Sequence, residues 1–168
     1  MRLLAVDPSL RGTGFAVLEQ VSSNKTAALE YGVIVNPVKR RQSGCLVAIY
    51  ERLSDVIAKH QPEACAVEGV IYVQSLRTAI TLGAARGAAI LAISRHGIPI
   101  FEYAPRKVKQ AVVGSGSADK QQVAFMIRAM LGLTETPPPD AADALAIGLT
   151  HFQARASLIA RKMEAETI

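Results

Sequence analysis

The sequence predicts an α/β domain on a five-stranded mixed sheet in the order 3-2-1-4-5, and three observations carry that expectation. Three apolar, β-compatible runs (residues 3–6, 15–20 and 26–35) follow one another with only short polar links between them. A stretch of helical apolar spacing over residues 45–60 separates them from a fourth such run, residues 64–70. A second helical stretch, 76–95, precedes a fifth run at 98–104. Short links make the first three strands an antiparallel meander. A right-handed helical crossover then lays the fourth strand parallel to the first and beside it.

The first strand, Leu3-Leu4-Ala5-Val6, stops at Asp7 and runs into Pro8, Gly12 and Gly14, which read as turn formers. FAVLEQ and TAALEYGVIV are the next two strands, separated by the polar turn SSNK. A basic loop around Lys39, Arg40 and Arg41 leads to the first helix, where Leu46, Ile49, Leu53, Val56 and Ile57 recur on one face. Gln61-Pro62 ends it. The fourth strand, ACAVEGV, again carries a single acid, Glu68. Helix 76–95 is rich in small residues (Gly83, Ala84, Ala85, Gly87, Ala88 and Ala89), which allow another helix to approach closely. After the fifth strand come a short basic helix (Arg106, Lys107, Lys109), the segment VVGSGSADK and a helix over 119–131. Three prolines close the loop 132–139, and a last helix runs from Asp140 through Arg155.

With 168 residues, half of them hydrophobic, the chain is long enough to bury a core and is expected to form one domain over 1–168, with 156–168 a helical extension or tail. No apolar stretch is expected to reach the roughly 18 residues that span a bilayer, and the N-terminus lacks a signal segment, so the expected location is the cytoplasm without membrane contact. Cys45 and Cys65 sit in apolar surroundings without metal-ligand spacing and read as buried free thiols. Lys and Arg total 19 against 14 Asp and Glu, a net charge of +5 that suits a polyanionic partner.

Each acid taken alone has an ordinary reading. Asp140 after three prolines is a helix N-cap, and Asp143 three residues on resembles a capping box. Asp7 alone is a turn residue and Glu68 a surface acid on an edge strand. Together they read differently, because Glu68 interrupts an apolar strand and Asp7 lies at the matching end of its neighbour, where an unpaired buried carboxylate is expensive. Asp140 and Asp143 point off one helix face. Oxygen ligands without His or Cys suit Mg²⁺ or Mn²⁺, and several converging carboxylates hold two such ions for in-line displacement at phosphorus. His60 and His96 read as helix C-terminal caps and His151 as structural. Lys107, Lys109 and Lys120 are either a solvated face or contacts to a nucleic-acid backbone around the glycine-rich segment.

The segments AVDPSLRGTGF, AVEGV, LGAARGAAI, FEYAPRKVKQAVVGSGSADKQQV and DAADALAI, in that order over nearly the whole chain, resemble the RuvC family of Holliday junction resolvases, which have a ribonuclease H-like fold. The resemblance implies a metal-ligand and catalytic role for Asp7, Glu68, Asp140 and Asp143, with two Mg²⁺ ions per site for which Mn²⁺ substitutes. It further implies a homodimer that binds four-way junction DNA, nicks two opposed strands symmetrically in recombination and repair, and works with a branch-migration helicase complex. Gly83 and Gly87 are candidates for the dimer interface, against the alternative of packing on their own sheet. The first turn reads DPSLRGTG where the family has DPGSR followed by TG. Three residues after the strand-four glutamate, where the family has an aromatic that wedges the junction, this chain has Ile71 with Tyr72 next, so either residue is a candidate wedge. The alternative function is a related ribonuclease H-like nuclease acting on structured RNA.

Overall fold

The structure, a computed structural model, describes residues 1–22, 25–70 and 75–156. Its strands are β1 (Arg2–Asp7), β2 (Gly12–Ser22), β3 (Lys25–Val35), β4 (Ala64–Glu68) and β5 (Ile100–Tyr103). The helices are α1 (Gln42–His60), α2 (Leu76–Ser94), α3 (Pro105–Val113), α4 (Lys120–Leu131) and α5 (Pro139–Ala156). The sheet order is β3-β2-β1-β4-β5, with β1–β2–β3 antiparallel and β1–β4–β5 parallel, as the meander and crossover predict.

Period-two alternation divides the strands between two cores. Leu3, Ala5, Ala64 and Ala66 face the layer of α3, α4 and α5, while Leu4, Val6, Cys65 and Val67 face α1 and α2. Helix α5 lies along the sheet, buried from Ala141 to Phe152 apart from Asp143. Gly148 permits this close approach, since a Cβ there would stand 2.1 Å from Leu18 Cδ1 and 3.3 Å from Ala5 Cβ.

Two sequence expectations change. Gly12 and Gly14 are strand residues at the start of β2, not turn residues. Helix α2 is, among the described residues, long and apolar enough on length and composition to cross a membrane. It is nevertheless an element of this fold: Ala85, Ala89, Ala92 and Ile93 are buried in the α1–α2 core, and Arg86 in its middle is tied to the ends of β4 and β5.

Candidate active site

The alternation that builds the core also builds the site. Asp7 follows Leu3 and Ala5, and Glu68 follows Ala64 and Ala66, so both carboxylates project toward the face that α5 covers. The β1–β4 ladder pairs Val6 with Val67, which makes Asp7 and Glu68 neighbours at the same end. On the other side Asp7 pairs with Gly14 of β2. A Cβ on Gly14 would lie 1.9 Å from the Asp140 carbonyl oxygen, and one on Gly12 would lie 2.8 Å from Asp140 Oδ2. The two glycines therefore let the first turn of α5 settle against β2 beside Asp7. Pro139, whose fixed φ suits a first helical position, opens α5, so Asp140 stands inside the first turn rather than at the cap.

Oxygens of Asp7, Asp140 and Asp143 lie within 4.8 Å of one another. Burial raises Asp7 well above the usual carboxylate range, and the charges of Glu68 and Asp143 raise it further against the pull of Lys120. Burial likewise raises Glu68, followed by Asp143, while Lys120, Lys109 and a hydrogen bond with Asp7 hold it down. Lys120 Nζ donates to Asp143 Oδ2 at 2.9 Å and stands 3.8 Å from Asp140 Oδ1, and that hydrogen bond raises its own pKa. It opens α4 directly after the N-cap Asp119, which forms a capping box with Gln122. A site in which burial and neighbouring acids make Asp7 and Glu68 resist ionisation fits a divalent cation bound through oxygen, because positive charge at its centre relieves both costs. Asp140, with 42% of its side chain exposed, is the open side of the cluster.

The loop after β1 is fixed by Thr13 of β2 and by the segment that follows β3. Thr13 Oγ1 donates to the Ser9 carbonyl at 2.6 Å, Asn36 Nδ2 to the Leu10 carbonyl at 2.9 Å, and Arg11 Nη1 to the Pro37 carbonyl at 2.6 Å. Lys107 and Lys109 lie half-buried on α3, with Lys107 Nζ 5.6 Å from the centroid of the Tyr103 ring. Gly83 and Gly87 are on the exposed face of α2, where an added Cβ would meet no atom within 4 Å. They do not pack on the sheet. Gly87 instead borders an apolar groove between α1 and α2, lined by Leu46, Val47, Tyr50, Ala88 and Leu91. His60 is a hydrogen-bond partner of Glu30, with Nε2 2.8 Å from Oε2; Gln61, in the left-handed region at φ 49°, is the C-cap of α1. His151 is buried with Nδ1 2.9 Å from the Tyr103 hydroxyl. Ile71 and Tyr72 lie outside the described residues, as does the stretch 157–168.

Two residues beside the site escaped the sequence reading, Arg86 and Glu102. The signal for Glu102 was present, since it is a single acid in an apolar strand just as Glu68 is.

A 3-2-1-4-5 sheet whose central strand ends place acids beneath the start of the last helix defines a nuclease of the ribonuclease H-like class. The family model for the crossover junction endodeoxyribonuclease RuvC matches residues 3–151. A crossover junction endodeoxyribonuclease RuvC of Akkermansia muciniphila is 52% identical over the full length of both chains. One of Saccharophagus degradans is 46% identical over 94% of this chain and 90% of its own. A solved structure of T. thermophilus RuvC in complex with Holliday junction substrate superposes with a TM-score of 0.87 at 34% identity, covering 100% of this chain and 99% of that one. The chain belongs to the RuvC family of crossover junction endodeoxyribonucleases, metal-dependent DNA hydrolases that resolve Holliday junctions.

Proposed function

We propose that Asp7, Glu68, Asp140 and Asp143 are the catalytic metal ligands with which this chain nicks four-way junction DNA on two opposed strands. The observation that supports this reading most is the gathering of Asp7, at a strand end beside that of Glu68, with Asp140 and Asp143 of α5, the oxygens of the three aspartates lying within 4.8 Å of one another. A bound divalent cation, Mg²⁺ as a pair of ions with Mn²⁺ as substitute, supplies Lewis-acid stabilisation and an activated water for in-line displacement at phosphorus. Asp7 and Glu68, on rigid strand ends, set the floor of the site. Asp143 orients Lys120, whose ammonium is placed to meet the charge that grows on the phosphate oxygens as the bond breaks. Lys107 and Lys109, on the helix that follows β5, provide contacts to the DNA backbone, and Ile71 or Tyr72, just past the end of β4, provides the wedge at the crossover.

Two symmetric nicks need two sites, and the apolar α1–α2 groove at Gly87, with Gly83 on the same exposed helix face, is the surface on which a second copy docks. A branch-migration helicase complex delivers the junction, and the reaction takes place in the cytoplasm. The test is cleavage of a synthetic four-way junction, a linear duplex and a structured RNA by the wild type and by Asp7→Asn, with Mg²⁺ or EDTA. Metal-dependent paired nicks in the junction alone are expected, abolished in Asp7→Asn while junction binding persists. Near-normal nicking by Asp7→Asn would refute the ligand assignment, and preferential cleavage of RNA would refute the substrate.

A further inference from the structure

At the exit of β4 the sheet holds the site from one side only. The β1–β4 pairing ends at Val6 and Val67, one residue before Glu68. On its other side the strand is still held, since Glu68 pairs with Tyr103 and the Gly69 amide donates to the Tyr103 carbonyl at 2.8 Å. Arg86 of α2 supplies a second hold from outside the sheet: its Nη1 donates to the Glu68 carbonyl at 2.9 Å. Its Nη2 donates to Glu102 Oε2 at 2.5 Å.

Strand parity explains why this pair exists. Glu102 alternates with Phe101, so it shares the face of Ile100 and points toward α1 and α2, away from the carboxylates. Gly69 makes room for it, because a Cβ there would fall 2.6 Å from Glu102 Oε1. A guanidinium has two donor edges in fixed geometry, so one side chain grips a carbonyl and a carboxylate at once, which an ammonium on a flexible stem does less well. With 15% of the Arg86 side chain exposed, the pair is sheltered enough to hold its geometry. Arg86 also forms a wall of the cleft of about 370 Å³ that opens beside Asp7 and Glu68.

The geometry points to Arg86 as a positioning residue that fixes the end of β4, and with it the Glu68 carboxylate, with Glu102 orienting Arg86. This rests on the reading of Glu68 as a metal ligand. Groups behind a metal ligand typically change metal affinity or activity by roughly 10–100-fold when removed.

The test uses Arg86→Met, Arg86→Lys and Glu102→Gln in the full chain. Three readouts are followed: Mn²⁺ binding by electron paramagnetic resonance without DNA, junction binding in EDTA, and the Mg²⁺ dependence of cleavage. Arg86→Met is expected to weaken Mn²⁺ binding about tenfold and to raise the Mg²⁺ needed for half-maximal cleavage in parallel, with metal-free junction binding within about twofold of wild type. Arg86→Lys is expected to recover part of the loss, and Glu102→Gln to cost about threefold, since it weakens only the orienting contact. A folded Arg86→Met with a wild-type Mn²⁺ titration would overturn the inference. If Arg86→Met does not fold, a wild-type titration of Glu102→Gln overturns it and a weakened one supports it. Undiminished Mn²⁺ binding by Asp7→Asn would instead refute the site itself, which separates failure of the site from failure of Arg86.

Discussion

Gly14 has no room for a side chain because the Asp140 backbone occupies the space where one would go. Gly14→Ala is therefore expected to push the start of α5 off β2, costing about 1–3 kcal/mol as an overpacked contact. Cleavage should fall further than stability, since Asp140 and Asp143 move with the helix. Denaturant melts set beside single-turnover rates test this, and an active, equally stable Gly14→Ala would show that α5 accommodates the methyl. At this scale the sequence was legible where chemistry broke a pattern. Asp7 and Glu68 stand out as charges in apolar strands, and two-residue alternation puts both on one face. It was illegible where a residue's role depended on what approached it. A glycine reads as a turn by default, and only the docking of α5 shows that Gly12 and Gly14 are there for clearance. Taken alone Asp140 reads as a cap, and only the helix start at Pro139, one position earlier, shows that it stands inside the first turn.

Among the elements, α2 shows what periodicity alone leaves open. Its small residues run around the helix, and the structure turns Ala85, Ala89 and Ala92 inward and Gly83 and Gly87 outward. Because an added Cβ at 87 meets no atom within 4 Å and leucine favours a helix interior over glycine, Gly87→Leu is expected to fold normally and to be no less stable than wild type, with a gain of up to about 1 kcal/mol in denaturant melts. It should also be monomeric in sedimentation; a folded dimer would move the interface off this groove. Helix α1 is tied to β3 by a different device, which composition did not reveal. Glu30 accepts from Arg52 Nη2 at 2.7 Å and Lys59 Nζ at 2.6 Å, with His60 beside it. Hydrogen bonds from His60 and Lys59 lower its pKa to about 2. A carboxylate held below its ordinary value stabilises the fold above the unfolded-state value and loses that contribution as pH falls toward the folded one. Glu30→Gln is expected to cost about 1 kcal/mol at pH 7, the modest size reflecting its exposed partners. The cost should shrink on acidification below about pH 4.5 and vanish near pH 2, as read from denaturant melts. A pH-independent cost would mean that Glu30 acts through packing.

For the molecule as a whole, the sheet order was readable because chain order restricts it so strongly. A three-strand meander followed by one helical crossover leaves few right-handed arrangements, and the simplest of them, the one observed, lays β4 beside β1 and brings their ends together. That same economy concentrates negative charge in a chain whose net charge is +5. Asp7, Glu68, Asp140 and Asp143 repel one another at the rim of a well-packed core, with Lys120 offsetting part of the cost. The metal-free fold should therefore be weakened by its own site, a common trade between stability and activity. Removing one charge by Asp7→Asn is expected to raise stability in EDTA by about 1 kcal/mol, roughly 2–4 °C in Tm for a chain of this size. Mg²⁺ at ten times its Kd is expected to raise the wild-type Tm by roughly 3–6 °C, from the about 1.4 kcal/mol of linked binding energy. Asp7→Asn should show little of that increase, so the two proteins converge as the ion is added. Melting curves of both proteins across a Mg²⁺ titration decide the matter. Parallel curves at every concentration would mean that the acids carry their repulsion without holding the metal, whereas convergence would show that the ion relieves the charge crowded by the β1–β4 register.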